Sequence, residues 1–174
     1  AGPDNRAVSP QTPFHVASVS KTFTALAIMQ MIESGRLQLD APVQRYLPWF
    51  RVADADAAAR ITLRHLLFHT SGLSESQGYE RTLDASMSDD ALERSIRALH
   101  GAALIAEPGA QFEYSNTNYD ILGLLLQTVS GETYESYIQR HVLTPLEMKR
   151  TFTSLPEARA QDVSSGHYPF FGVS

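Results

Sequence analysis

Apolar positions along this chain recur at helical rather than strand spacing. From Ser18 to Ser34 they fall at Val19, Phe23, Leu26, Ala27, Ile28, Met29, Met31 and Ile32. That is more than one stripe of a 3.6-residue period, and it predicts a helix buried on most of its sides. Gly35 stands where such a helix would end. Ahead of it, Ala7 to Val16 is short, interrupted by proline and extended. Behind it, Leu37 to Pro42 leads through Val43 and Tyr46 to Pro48-Trp49-Phe50, an aromatic cluster that reads as core rather than as a cofactor box.

The next stretches are less regular. Ala53 to Arg60, rich in Ala and Asp, reads as a surface loop. Thr62 is placed to cap a short helix that ends before Thr70-Ser71-Gly72. Leu73 to Met87 shows no period and reads as a long irregular loop, of the kind that borders binding sites in compact domains. Ser88 is placed to cap a helix with Leu92, Ile96 and Leu99 on one face and Gly101 past its end. Glu107-Pro108-Gly109 is a turn leading to Phe112 and Tyr114. Asn118 to Val129 and Thr133 to Leu143 then read as two further helices, the second stopping before Pro145. No pair of alternating strands and no internal repeat is present, so helices dominate.

Composition narrows the classes of function. With 174 residues, 43% of them hydrophobic and 19% charged, the chain is long enough for one core. Its net charge is -5 and its 14 Lys and Arg are scattered, which argues against nucleic acid as a partner. It has no cysteine, so thiol catalysis, disulfides and thiolate metal sites are all excluded. No apolar run has the length of a membrane span. The opening Ala1-Gly2-Pro3-Asp4-Asn5 is turn-like, without the features of a signal peptide.

Two clusters bear chemistry. In Ser18-Val19-Ser20-Lys21, Ser18 and Lys21 are three residues apart and share a helix face. A serine hydroxyl needs an adjacent base, and a lysine is such a base where burial lowers its pKa. A helix N-terminus adds N–H groups suited to an oxyanion. S-x-x-K is a common coincidence on its own, but Lys21 is one of two lysines and interrupts an apolar helix, where an unused charge is costly. The second cluster is Tyr114-Ser115-Asn116, after a Pro-Gly turn and before an apolar helix. It reads either as helix capping or as a phenol that shuttles protons beside an amide that holds substrate or Lys21.

Together the two motifs resemble those of the class C β-lactamases and their relatives, which include low-molecular-weight penicillin-binding proteins, D-Ala-D-Ala carboxypeptidases and β-lactamase-like esterases. Thr12 to Ala17, Gly35 to Val43 and His65 to Leu73 are also similar to that family, so the resemblance runs from about Val8 to Thr153. It implies an α+β, β-lactamase/transpeptidase-like fold, of which this chain carries mainly the helical portion. It also implies Ser18 as acylated nucleophile, Lys21 as its base, Tyr114 as proton relay and Asn116 as substrate contact. The Ser18 N–H would be half of the oxyanion hole, no cofactor is needed, and the setting is extracytoplasmic.

The resemblance also marks what does not match. The family's third motif, K-T-G or H-x-G on a downstream strand, has no counterpart: Lys149 precedes Arg150-Thr151, and His167 precedes Tyr168-Pro169. The two strands that precede the first motif in the family are missing too. The expectation is therefore a single, incomplete domain over 1–174, with self-association or a second chain supplying the missing strands.

Other constellations are weaker. His65 and His69 have the spacing of an H-E-x-x-H zinc site, but Leu66 stands where the general base belongs, so they are expected to pack or cap around Thr70-Ser71-Gly72. No G-x-S-x-G elbow occurs. The expected function is a serine hydrolase acting on a small-molecule or peptide acyl substrate: a β-lactam, a D-Ala-D-Ala peptide or an ester. The competing readings are a non-catalytic binding module and a self-standing esterase.

Overall fold

The computed structural model describes residues 7–75, 90–161 and 163–164. Its α-helices are α1 (Ser20–Glu33), α2 (Ala55–Arg60), α3 (Leu63–Leu67), α4 (Ala91–Arg97), α5 (Asn116–Ser130), α6 (Tyr134–Ile138) and α7 (Leu155–Arg159). Among the described residues the β structure is an isolated antiparallel bridge between Pro42 and Thr62. The mainly helical character matches the expectation, and the sheet of the expected α+β fold has no counterpart in these residues.

Helix α5 is the hub, packing against α1, α3, α4 and α6. Ile121, Leu122, Leu125 and Leu126 on α5 are fully buried, and so are Ala27 and Ile28 of α1. Each large side chain buried this way contributes roughly 1.5–3 kcal/mol against exposure. Phe50 lies in the same core, while Trp49 is only half-buried against it, with the Arg97 guanidinium 3.9 Å from its ring centroid.

Helix α1 departs from its expectation in two ways. It starts at Ser20, because Ala17–Val19 forms a 3₁₀ turn that places Ser18 ahead of the first α-helical residue. It also buries one side only, with Thr24, Ala27, Ile28 and Met31 inward. Val19, Leu26 and Met29 are 58%, 42% and 46% exposed and form an apolar stripe with no cover among the described residues. The helix ends as expected: Gly35 adopts φ 75°, and Arg36 N–H donates to the Met31 carbonyl at 2.9 Å.

Ala53 to Arg60 is not a loop. Asp54 Oδ1 accepts from Ala57 N–H at 2.9 Å and caps α2, whose alanines have the best helix propensity and bury Ala57 and Ala58. Thr62 does cap α3: its hydroxyl accepts from His65 N–H while His65 Nδ1 accepts from Thr62 N–H, both at 3.3 Å. Leu92, Ile96 and Leu99 turn toward the core from α4 and the 3₁₀ turn behind it. Ser88, the expected cap, lies outside the described residues, as do positions 76–87 of the expected loop. The helix expected over Thr133–Leu143 is α6 continued by a π turn, Gln139–Leu143, with Thr133 as its cap.

Candidate active site

The chain reaches Ser18 through Ala17, whose φ of 44° is a left-handed conformation that costs a residue with a Cβ on the order of 1–2 kcal/mol. The sharp turn leaves Ser18 exposed and directs Ser20 elsewhere. Ser20 lines a cavity of about 610 Å³ shared with Phe14, Phe23, Tyr134 and Phe152. Lys21, on the first turn of α1, is half-buried.

The structure brings all four expected site residues together. Lys21 Nζ donates to Ser18 Oγ at 3.3 Å, and Ser18 Oγ lies 2.7 Å from the Tyr114 hydroxyl. Lys21 Nζ also donates to Asn116 Oδ1, and the Tyr114 hydroxyl donates to the same oxygen at 3.3 Å. A phenol has one proton. With that proton on Asn116, the short Ser18–Tyr114 bond has Ser18 as donor and the phenol oxygen as acceptor. That is the direction in which a serine loses its proton to a base.

Asn116 is oriented from outside this ring of groups. Its backbone N–H donates to Glu75 Oε2 at 2.8 Å and its Nδ2 donates to Glu75 Oε1 at 2.6 Å. The carboxylate thus caps the N-terminus of α5 and turns the amide oxygen toward Lys21 and Tyr114. Ser115, which could have been the cap, instead donates its hydroxyl to the Ser74 carbonyl at 3.1 Å. The capping reading of Tyr114-Ser115-Asn116 therefore fails, because the cap comes from Glu75.

The electrostatics follow from the same contacts. The Lys21 ammonium, with the Ser18 hydroxyl second, holds the Tyr114 phenol below its ordinary range. A phenol with a lowered pKa loses its proton closer to neutral pH and is a better base there. Asp120, one turn along α5, is pushed up to about 6 by burial; Lys21 opposes the shift and Glu75 reinforces it. The Lys21 ammonium also lies 4.9 Å and 5.5 Å from the ring centroids of Tyr114 and Tyr119.

His65 and His69 have separate tasks. His65 caps α3, and His69 stacks on Tyr114 with ring centroids 4.7 Å apart at 28°. Both are held below the ordinary histidine range, burial being the main cause. The expectation that they cap or pack holds for each in turn. Glu75 and Asp120 were not anticipated, although the aperiodic stretch from Leu73 had marked the segment in which Glu75 stands.

Comparison with known proteins decides the family. Residues 2–171 match the Beta-lactamase family. The chain belongs to the Beta-lactamase family. It is 34% identical over 167 residues to penicillin-binding protein 4 of Amycolatopsis lactamdurans, covering 96% of this chain and 43% of that protein. Among solved structures, EstCE1, described as a hydrolase with promiscuous acyltransferase activity, is 38% identical with a TM-score of 0.71, over 83% of this chain and 40% of its own. The octameric penicillin-binding protein homologue from Pyrococcus abyssi is 30% identical with a TM-score of 0.76, over 94% of this chain and 38% of its own. The fold is thus the β-lactamase/transpeptidase-like one, in a family of serine hydrolases. The chain spans between 28% and 43% of the length of the curated relatives it matches. No helix among the described residues is long and apolar enough to cross a membrane.

Proposed function

We propose that this chain carries the acylation centre of a serine hydrolase, with Ser18 as the nucleophile. The observation that carries the reading is the convergence of Lys21 and Tyr114 on one hydroxyl, at 3.3 Å and 2.7 Å from Ser18 Oγ. Ser18 Oγ attacks an acyl carbonyl and passes its proton to the Tyr114 oxygen as the phenol gives its own proton to the neutral amine of Lys21, the base. Tyr114 then returns the proton to the leaving group, and water attacks the acyl-enzyme along the reverse proton path. The Ser18 N–H is one oxyanion donor, Asn116 contacts substrate, and no cofactor takes part.

The substrate class is an activated or strained acyl group: a β-lactam, a D-Ala-D-Ala peptide or an ester. An extracytoplasmic setting belongs to the same proposal. We assign residues 1–174 to one incomplete domain. Its exposed Val19, Leu26 and Met29 are covered in the working protein by an element that supplies strands and the other oxyanion donor, from the same polypeptide, a further copy or a second chain. The octameric relative supports self-association.

Intact-mass analysis after exposure to a penicillin or a fluorophosphonate tests the reading. Ser18→Ala abolishes the covalent adduct, and Ser20→Ala leaves most of it, since Ser20 faces the other cavity. An adduct that survives Ser18→Ala and disappears with Ser20→Ala overturns the assignment. Absence of any adduct on the wild-type protein favours a non-catalytic binding module.

A further inference from the structure

We propose that His69, held as the neutral Nε2–H tautomer by two donors that meet at its Nδ1, is the residue that positions Tyr114. The proposal rests on the reading of Tyr114 as the proton relay of Ser18, and goes beyond it by assigning the relay's geometry to a nearly buried residue stacked behind the Tyr114 ring.

The tautomer follows from a chain of donors. The Ser71 hydroxyl oxygen accepts from Leu73 N–H at 3.2 Å, and its proton goes to Asn118 Oδ1 at 2.6 Å. The amide of Asn118 therefore points its Nδ2 at His69 Nδ1, 3.2 Å away. Ser115 N–H donates to the same Nδ1, also at 3.2 Å. Two donors on one nitrogen require a lone pair there, so the ring proton sits on Nε2. Ser71, Ser115 and Asn118 are fully buried and His69 is nearly so, which leaves no water to replace a lost partner.

The ring is as constrained as its nitrogen. Beyond Tyr114, it meets Tyr119 at 5.2 Å and 34° and the edge of Phe112 at 5.9 Å and 71°. Its backbone has φ 55°, a left-handed conformation in which histidine and asparagine are enriched. The His69 carbonyl also accepts from Glu113 N–H at 2.8 Å, which ties the strand of chain bearing Tyr114 to the same residue. Tyr114 itself is 37% exposed, so one face of its ring depends on this support.

The charged and titratable groups that face His69 are Lys21, Glu75, Tyr114 and Tyr119. Burial and the Lys21 ammonium oppose its protonation, and Glu75 favours it. Below the ordinary histidine range a proton on Nδ1 would break both accepted bonds, release Ser115 N–H and let the Tyr114 ring move. A shift of about 1 Å in a reacting geometry costs on the order of a hundredfold in rate.

Two substitutions separate the roles in the native-length protein. His69→Phe keeps a ring but leaves Ser115 N–H and Asn118 Nδ2 unpaired. His69→Asn tolerates the left-handed backbone, places an acceptor near Nδ1 and cannot be protonated. The rate of Ser18 labelling by a fluorophosphonate is followed from pH 5 to 8. His69→Phe is expected to slow labelling at least about tenfold, with little change in probe affinity. His69→Asn is expected to recover most of that loss and to flatten the fall in rate below pH 6.5. Imidazole nitrogen and tyrosine-ring NMR of the wild type supplies a readout independent of turnover: Nδ1 unprotonated at neutral pH, with the Tyr114 resonances moving in step with His69 titration. Failure of the wild type to label, with the NMR coupling present, overturns acylation and leaves the positioning intact. A labelled wild type whose acid limb is unchanged in His69→Asn, or whose Tyr114 resonances ignore His69, overturns the positioning.

Discussion

The two walls of the site are built on opposite principles. On the α5 wall Asn116, Asn118, Ser115 and the Nδ1 of His69 each have fixed partners, and most of that network is buried, although the Thr117 hydroxyl beside it has no partner among the described residues. On the α1 wall Ser18 sits on an exposed 3₁₀ turn behind a left-handed Ala17, backed by a helix with an uncovered apolar stripe. A relay must keep its geometry through a proton transfer, and buried, fully satisfied networks are rigid. A nucleophile must be reached by substrate, so exposure suits it. The difference teaches that the relay on the α5 wall is held by contacts within this chain, whereas the α1 wall presents an apolar surface with no cover among the described residues.

Removing the groups where the walls meet should have the largest effect. Tyr114→Phe is expected to slow Ser18 labelling by at least about a hundredfold, the scale of a general acid–base group. Lys21→Arg should be nearly as damaging as Lys21→Ala, since arginine keeps the charge but neither releases a proton at neutral pH nor fits a site shaped for an ammonium. Labelling kinetics check both. Near-normal rates in Lys21→Arg would mean that Lys21 acts as a fixed charge alone.

A smaller effect should come from loosening the α5 wall from behind. Glu75→Ala removes both acceptors of Asn116, leaving the first N–H of α5 and the Nδ2 without their partner. The expected outcome is a loss of about 1–3 kcal/mol in stability and about tenfold in labelling rate, as Asn116 Oδ1 loses its aim at Lys21. Glu75→Gln retains one acceptor and should fall between. Thermal unfolding alongside labelling rates checks this, and an unaffected rate with lowered stability would reduce Glu75 to a helix cap.

What was legible in the sequence divides along the same line. The long apolar runs of α1 and α5 and the local motifs Ser18–Lys21 and Tyr114–Asn116 were readable, because their signals lie within a few residues. Helix α2 was not, since its alanines give little hydrophobic contrast, although Asp54 three residues before Ala57 was a capping signal in plain view. The uncovered side of α1 was not readable as such either, because a run that is apolar all round looks the same whether or not its cover is present. The site's support escaped for a different reason. Glu75 meets Asn116 across 41 residues of chain and His69 meets Asn118 across 49, and no periodicity connects residues so far apart.

The smallest expected effect concerns Asp120, whose carboxyl adds a cost to the α5 wall. Its folded pKa of about 6 lies above the ordinary 3.8, with burial as the main cause. Between those two values the folded chain binds the proton more tightly than the unfolded chain does. Stability therefore falls as pH rises through about 6, and the full cost of an ionised, half-buried carboxylate is present at pH 7 to 8. Asp120→Asn removes that cost while keeping the shape. After allowance for solvent access and for the attraction of Lys21, a gain of about 1–2 kcal/mol is expected at pH 8. At pH 3.5, a little below the unfolded value, both states of the wild type are mostly protonated and the gain should nearly vanish. His69 works with the opposite sign: its lowered pKa makes the wild type lose stability as pH falls below 6.5. Denaturant unfolding of wild type and Asp120→Asn at pH 8, 6 and 3.5 separates the two slopes. A gain of equal size at all three would show that Asp120 is unfavourable for its packing, not for its charge.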